Sequence, residues 1–395
     1  MLRLVLVNLL RNKLRTVLTM ASVTVALFLY CSLGGVLDTL QESIKVGSET
    51  RLVTRNKVSL IFPLPIAYRA RLQAMPGVRR VAVSNWFGGT DPVNPHLFFA
   101  QFAVDDNYLP IYADDYEIVQ ASPAQAAVAL PAGMDPRLAA YQGEQTACVV
   151  GETLLRKHGW HLGQTVHVNG TIYQGSWPFT IRAVYRSRKK AFRDETMFFH
   201  WKYLEQQGMG GQGSAGLYVL QLADPSQAAN VATAIDAGFE NAAPATRTES
   251  EQAFQAGFVS MYGNLPFVLR VIGLAIVFSI LLIAANTMMT AVRERTGEMG
   301  VLKTLGFSDG AVFGMVVAEA ACITLGGGVA GALLAKLAIE RSGFNALGFL
   351  PPMIVYWRTV AVGVLIAVGI GAVSGLVPAV RAARLRIVDA LRPAE

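Results

Sequence analysis

Long apolar runs separated by one long polar stretch set the organisation of this chain. A hydrocarbon layer about 30 Å thick takes roughly 20 residues of helix to cross, and four runs reach that length. The first, 17–40, is uncharged as far as residue 36. The second, about 266–291, holds VIGLAIVFSILLIAANTMM. The third, about 311–337, has Glu319 and Lys336 as its only charges, and the fourth covers about 359–380. Ahead of the first run, Leu2, Leu6, Leu9 and Leu10 fall at i, i+4, i+7 and i+8, with Arg3, Arg11 and Lys13 largely elsewhere. That spacing predicts an amphipathic interfacial helix over 1–16. The first run exceeds the 7–15 residues typical of a signal-peptide core and no A-x-A site follows, so it reads as a retained anchor.

Between the first two spans, residues 41–264 are patterned as a folded domain. Near its start, 58–62 reads as a strand, 66–75 as a helix and 78–84 as a second strand. Near its end, 217–222 is strand-like, 225–240 helical, and a short extended stretch follows. Pro76-Gly77 and Asp224-Pro225 supply turn and cap chemistry. Two βαβ units, about 55–85 and 216–250, are therefore expected to pack as one α+β subdomain. The intervening residues, about 86–215, carry strand runs at 97–104, 165–168, 179–185 and 196–199 and read as a β-rich insertion. A basic stretch from Arg186 to Lys190 lies within it, either a solvated loop or a dock for acidic partners or anionic headgroups.

Composition agrees with a bilayer. Charged residues make up 15% of the chain and hydrophobic ones 53%, against roughly 25% charged in soluble domains. The net charge of +7 raises nucleic acid as a partner, but residues 41–264 hold 19 Lys/Arg and 19 Asp/Glu. The excess lies beside the apolar runs, so no nucleic-acid partner is expected. Arg3, Arg11, Lys13 and Arg15 precede span one; Arg293, Arg295 and Lys303 follow span two; Arg381, Arg384, Arg386 and Arg392 follow span four. With four spans all three groups share one side, which the positive-inside rule makes cytoplasmic. Residues 41–264 are then outside. Cys31, Cys148 and Cys322 suggest no disulfide.

The segment after span two carries the most specific chemistry. Glu294 and Glu298 stand four apart on one face of a short helix, with Val301, Leu302 and Leu305 giving it an apolar side. Gly300 and Gly306 permit close approach or a stop. Such a helix is either an ordinary interfacial linker or a dock for a partner's groove. The run Asn286-Thr-Met-Met-Thr-Ala-Val-Arg293-Glu294-Arg295-Thr-Gly297-Glu298-Met-Gly300-Val-Leu-Lys303-Thr-Leu-Gly306 resembles the permeases of MacB/FtsX-type ABC transporters. In their pattern an Asn precedes Arg-x-x-Glu-[Ile/Met]-Gly, two hydrophobic residues, Lys or Arg, Ala, Leu or Ile, and Gly; Thr304 stands where Ala is usual. The tail Pro378-Ala-Val-Arg381-Ala-Ala-Arg384-Leu-Arg386-Ile-Val-Asp389-Ala-Leu391-Arg392 is similar to that family too. So are the basic opening helix and the order of one span, ectodomain and three spans.

The resemblance implies an α-helical integral membrane protein with four transmembrane helices and a large α+β extracytoplasmic domain. It implies a coupling helix at about 293–306, including Arg293, Glu294, Arg295, Glu298, Gly300, Lys303 and Gly306, that docks into a separate ABC ATPase. That ATPase, not this chain, would bind ATP and Mg. A second permease, identical or different, membrane lipids, and a periplasmic adaptor with an outer-membrane channel are the further expected partners. The bacterial inner membrane, with both termini cytoplasmic, is the expected location. Export from the periplasm or membrane is the first reading; release of lipoproteins and control of a peptidoglycan hydrolase are the alternatives.

An acid inside the bilayer is a functional candidate by default. Glu319 lies about two turns into span three and Asn286 at comparable depth in span two, so a hydrogen bond between them is expected as interhelical glue. Gly326, Gly327, Gly328 and Gly331 suit span three to close packing against a neighbouring span or a partner permease. No G-x-x-x-x-G-K-[ST] loop, G-x-S-x-G or H-E-x-x-H motif appears, so no catalysis is expected of this chain. His158, His161 and His167 are interrupted by Gly159 and Gly163, which argues against a metal site.

Overall fold

The structure, a computed structural model, describes residues 11–45, 48, 51–124, 127–188, 194–207, 212–260, 264–342 and 353–386. The chain forms two compact units, one of residues 1–39, 263–346 and 352–395, the other of 40–262 and 347–351.

Helix α1 (Lys13–Lys45) opens the first unit as span one. Lys13 already belongs to it, where an interfacial helix was expected to last to residue 16; Leu2, Leu6, Leu9 and Leu10 lie outside the described residues. The second unit, residues 40–262, is built largely around one sheet. Strands β1 (Arg51–Asn56) and β2 (Leu64–Pro65) lead to helix α2 (Tyr68–Gln73) and β3 (Val78–Trp86). β4 (Gly89–Thr90), β5 (Ala100–Val104), β6 (Tyr116–Ala121), β7 (Ala147–Gly151), β8 (Thr165–Gly170), β9 (Gly175–Ser187), β10 (Thr196–His200) and β11 (Ser214–Ala215) follow, with short helices such as Glu152–His158 between them. β12 (Leu217–Leu222), α3 (Ala228–Gly238), β13 (Thr246–Ser250) and α4 (Glu251–Ser260) complete the unit.

The sheet order β13-β1-β12-β3 interleaves the two βαβ units: β12 lies antiparallel between β1 and β3, and β13 flanks β1. This is a split βαβ arrangement. β5 then pairs antiparallel with β3 and carries the sheet on through β10, β7, β9, β8 and β4. The insertion is therefore continuous with the α+β half. Successive residues of β3 and β7 enter opposite cores: Val81, Val83, Cys148 and Val150 join one, Ala82, Ala147 and Val149 the other. In the first core Phe87 makes edge contacts with Trp177, Phe179 and Phe199 at centroid distances of 5.2, 6.0 and 5.3 Å.

One expected strand is displaced. Residues 58–62 form turns, with Val58 81% and Ile61 87% exposed; the strand is Arg51–Asn56 just before them.

Helices α5 (Leu265–Glu294), α6 (Thr296–Thr304), α7 (Asp309–Ser342) and α8 (Trp357–Ala383) return the chain to the first unit. α1, α5, α7 and α8 are each long and apolar enough to cross a membrane. Val23 and Leu27 of α1, Ile280 and Ala284 of α5 and Ala367 and Ile370 of α8 form one core. Glycine permits the closest contact between α1 and α7. A Cβ at Gly327 would lie 2.7 Å from the Met20 carbonyl oxygen, and one at Gly331 2.3 Å from that of Thr24. The glycine run thus serves neighbouring spans of the same chain: Gly328 also meets Ala367 of α8.

Candidate functional site

The short helix α6 lies at the end of the bundle where span one begins, spans two and four end and span three starts. Arg295 separates it from α5, and its first turn holds Glu298, favourably placed for a helix N-terminus. Gly306, at φ +93°, ends the element in the left-handed region where glycine costs least. Ser308 then starts α7 by accepting the Ala311 N–H at 3.2 Å.

Polar contacts tie α6 and its flanks to three spans. Glu298 pairs with Arg11 at 2.6 Å, and Glu294 pairs with Arg15 of α1. Arg295 donates to both oxygens of Glu319 on α7, at 3.0 and 3.2 Å. Lys303, buried along its side chain, donates to the carbonyls of Ala383 and Leu385 at 2.5 and 2.9 Å and pairs with Asp309 at 2.7 Å. The ammonium thereby caps the C-terminal carbonyls of α8 where the helix dipole is negative. Beneath these contacts Met299 packs with Val292, Val312, Met315, Ala379 and Ala382. Met299 and Gly300 are buried, whereas Val301 and Leu305 are 48% and 71% exposed. One side of α6 is committed to the bundle and the other presents an apolar ridge.

The expected bond between Glu319 and Asn286 is not made. Asn286 is exposed, while Met288, two positions on and so about 200° around the helix, is buried with Ile323 of α7. Arg295 supplies the partner instead. Of the tail residues, Pro378 is buried inside α8 and Arg381 is exposed, donating to the Met289 sulfur at 3.3 Å. Asp389, Leu391 and Arg392 lie outside the described residues. Arg293 is exposed at the end of α5.

Of the three histidines singled out above, His158 is packed, and His161 and His167 are exposed. His158 Nδ1 lies 2.7 Å from Asp91 Oδ2, with its ring against Phe99 and Trp160. Among the described residues no three His, Cys, Asp or Glu side chains converge as a metal site would need. The part of the chain that the motifs missed is the N-terminal side of α6's cradle. Arg11 and Arg15, four apart, face Glu298 and Glu294, also four apart, a complementary spacing that the sequence displays.

Four helices long and apolar enough to cross a membrane, a large α+β domain inserted after the first, and an anchored short helix between the second and third define a multi-pass membrane protein. Residues 16–237 match the MacB-like periplasmic core domain family and residues 270–387 the FtsX-like permease C-terminal family. The chain belongs to the MacB/FtsX-type ABC transporter permeases. It is 34% identical over 109 residues to an uncharacterized ABC transporter permease, YknZ, of Bacillus subtilis, covering 27% of this chain and 26% of that one. It is 41% identical over 110 residues to a macrolide export ATP-binding/permease protein, MacB, of Sodalis glossinidius, covering 27% of this chain and 16% of that one. These matches thus span about a quarter or less of the relatives' own length. Among solved structures, the periplasmic region of MacB from Actinobacillus actinomycetemcomitans is similar with a TM-score of 0.37 and 10% identity, covering 55% of this chain and 97% of that one.

Proposed function

We propose that this chain is the membrane subunit of an ATP-driven exporter, in which α6 receives the stroke of a separate ABC ATPase. That ATPase binds ATP and Mg; this chain carries no catalysis. The stroke passes through the spans to the domain outside, which moves a substrate from the periplasm or outer leaflet, working with a second permease and an adaptor. The observation that carries the reading is the asymmetry of α6. Lys303 of α6 is bonded to the end of α8 and to Asp309 of α7, and Glu294 and Arg295 on its N-terminal flank are bonded to α1 and α7, so a push on α6 and its flank reaches three spans. Its outer ridge, Val301 and Leu305, is apolar and exposed, as a helix-in-groove contact requires. The second permease and the adaptor come from the family reading alone.

Glu298 is placed within this chain's own contacts, against Arg11, so its charge orients α6 rather than simply awaiting a partner. Exposed pairs of this kind are worth about 0–1 kcal/mol each, which leaves folding intact when one is reversed. The test is co-purification of an ABC ATPase with the tagged chain from its native membrane. Leu305→Asp is expected to lower recovery at least about tenfold, since a charge in a desolvated groove is strongly disfavoured. Glu298→Lys is expected to lower it less, and Arg11→Glu combined with Glu298→Lys to restore it. Recovery of ATPase unchanged by Leu305→Asp, or none with the wild-type chain, overturns the proposal.

A further inference from the structure

The two segments that join the ectodomain to the membrane by chain connection meet in one buried charged network. Arg51 opens β1, six residues after α1 ends at Lys45, and Glu251 opens α4, the helix that precedes α5. Arg51 Nε donates to Glu251 Oε2 at 2.7 Å, and Arg51 Nη2 lies 2.6 Å from Asp115 Oδ2. Glu251 also accepts from the Tyr112 hydroxyl and the Ser48 N–H, both at 2.9 Å. The Tyr112 ring lies under the guanidinium, 4.3 Å from its carbon. The Arg51, Asp115 and Glu251 side chains are 5%, 2% and 8% exposed. Tyr112 and Asp115 belong to the insertion, between β5 and β6. One guanidinium therefore holds the incoming strand, the outgoing helix and the insertion together.

Stability alone is a weak reason for such a network, because well-packed apolar groups often replace buried ions at no loss. Geometry is a better one. Only a guanidinium offers donors in a fixed fork to two carboxylates at once; an ammonium of equal charge has no fork. The backbone link between the four-stranded half and the insertion is narrow: β3 meets β5 through Ser84–Val104, Asn85–Ala103 and Trp86–Phe102. A sheet joined by so short a ladder is the natural place to flex under load.

We propose that Arg51 is a positioning residue that locks both membrane-connected ends and the insertion into one lever. Displacement of span one or span two then swings the whole ectodomain instead of bending it at the β3–β5 seam. Its use in transport rests on the function proposed above, but its rigidity is measurable without any ATPase, so the two ideas fail separately. The full chain, with its three cysteines replaced, is placed in nanodiscs and spin-labelled at exposed positions. Labels at Ala237 and Arg156 report the distance across the seam, and labels at Arg156 and Gln174 a distance within the insertion. Arg51→Lys and Asp115→Asn are expected to broaden the first distribution by a factor of about two and leave the second unchanged, because local opening follows lost contacts. A first distribution as narrow as wild type in both variants overturns the proposal. So does equal broadening of both distances, which would make Arg51 an ordinary folding residue.

Discussion

A carboxylate in an apolar setting needs a partner, and two residues here meet that need differently. Glu319 takes both oxygens to Arg295 at the bundle's end, converting a charge inside a span into a strut between α7 and the start of α6. Asp105, in the ectodomain, is not fully compensated. Burial pushes its carboxyl up to about 6, against the pull of the Arg69 guanidinium 2.7 Å away and the Asn107 N–H. Between about pH 4 and 6 the unfolded chain has lost this proton while the folded chain keeps it, so stability falls as pH rises through that window. The group's full contribution is present only below about pH 4. Asp105→Asn is accordingly expected to stabilise the ectodomain at pH 7, by on the order of 1 kcal/mol, and to flatten the decline between pH 4 and 6. Urea titrations followed by tryptophan fluorescence check this, since Trp86, Trp160, Trp177 and Trp201 all lie in that unit. A variant that is less stable at pH 7 and keeps the slope refutes the assignment. The sequence does not reveal the partner of Glu319: Arg295 is 24 positions away, and comparable depth in the bilayer points to Asn286 regardless of its place around the helix.

At the scale of elements, the legible features were those whose pattern is one-sided or very long. The four spans declare themselves because a bilayer demands long apolar runs, although helices such as Lys13–Lys45 run beyond those stretches onto polar ends. β12 and α3 appear where their periodicity and the Asp224-Pro225 start predict them. β7 carries no such signal: Ala147–Gly151 is buried on both faces, so it shows no alternation. Residues 58–62 misled in the opposite sense, since Val58, Ile61 and Phe62 are apolar yet exposed, while the true strand begins with the charged Arg51. The glycines of span three suit it to close packing, and the structure assigns that packing to α1 and α8. Gly331→Leu is therefore expected to force α1 and α7 apart and to cost about 1–3 kcal/mol of bundle stability, as overpacking does. Gly369→Leu, at a position with no atom within 4 Å of a new Cβ, is the control. Thermal unfolding in detergent should separate the two; equal melting temperatures would mean that span packing does not depend on this approach.

At the scale of the whole molecule, charge is sorted between the two ends of the helical unit. Arg11, Lys13, Arg15, Arg293, Arg295, Lys303, Arg381, Arg384 and Arg386 gather where span one begins and span four ends. At the opposite end Asp38 of α1 pairs with Arg358 at 3.0 Å and accepts from Thr359, while Lys336 is tied to Glu340 and the Val355 carbonyl. Asp38 and Glu340 each offset one basic residue there. At the first end the excess is positive, even after Glu294, Glu298 and Glu319 have each taken a partner. A positive excess holds its side against translocation, so α6 and both termini are expected in the cytoplasm and the ectodomain outside. This orientation is also what the transport proposal needs, because ATP is available to α6 only there. Leu305→Cys and Arg156→Cys, each in a chain without its native cysteines, place one exposed thiol on α6 and one on the ectodomain. A membrane-impermeant maleimide is expected to label position 156 in intact spheroplasts, and position 305 only in inverted vesicles. Labelling of position 305 from outside would reverse the topology. It would also remove α6 from reach of an ATPase, and with that the proposed coupling.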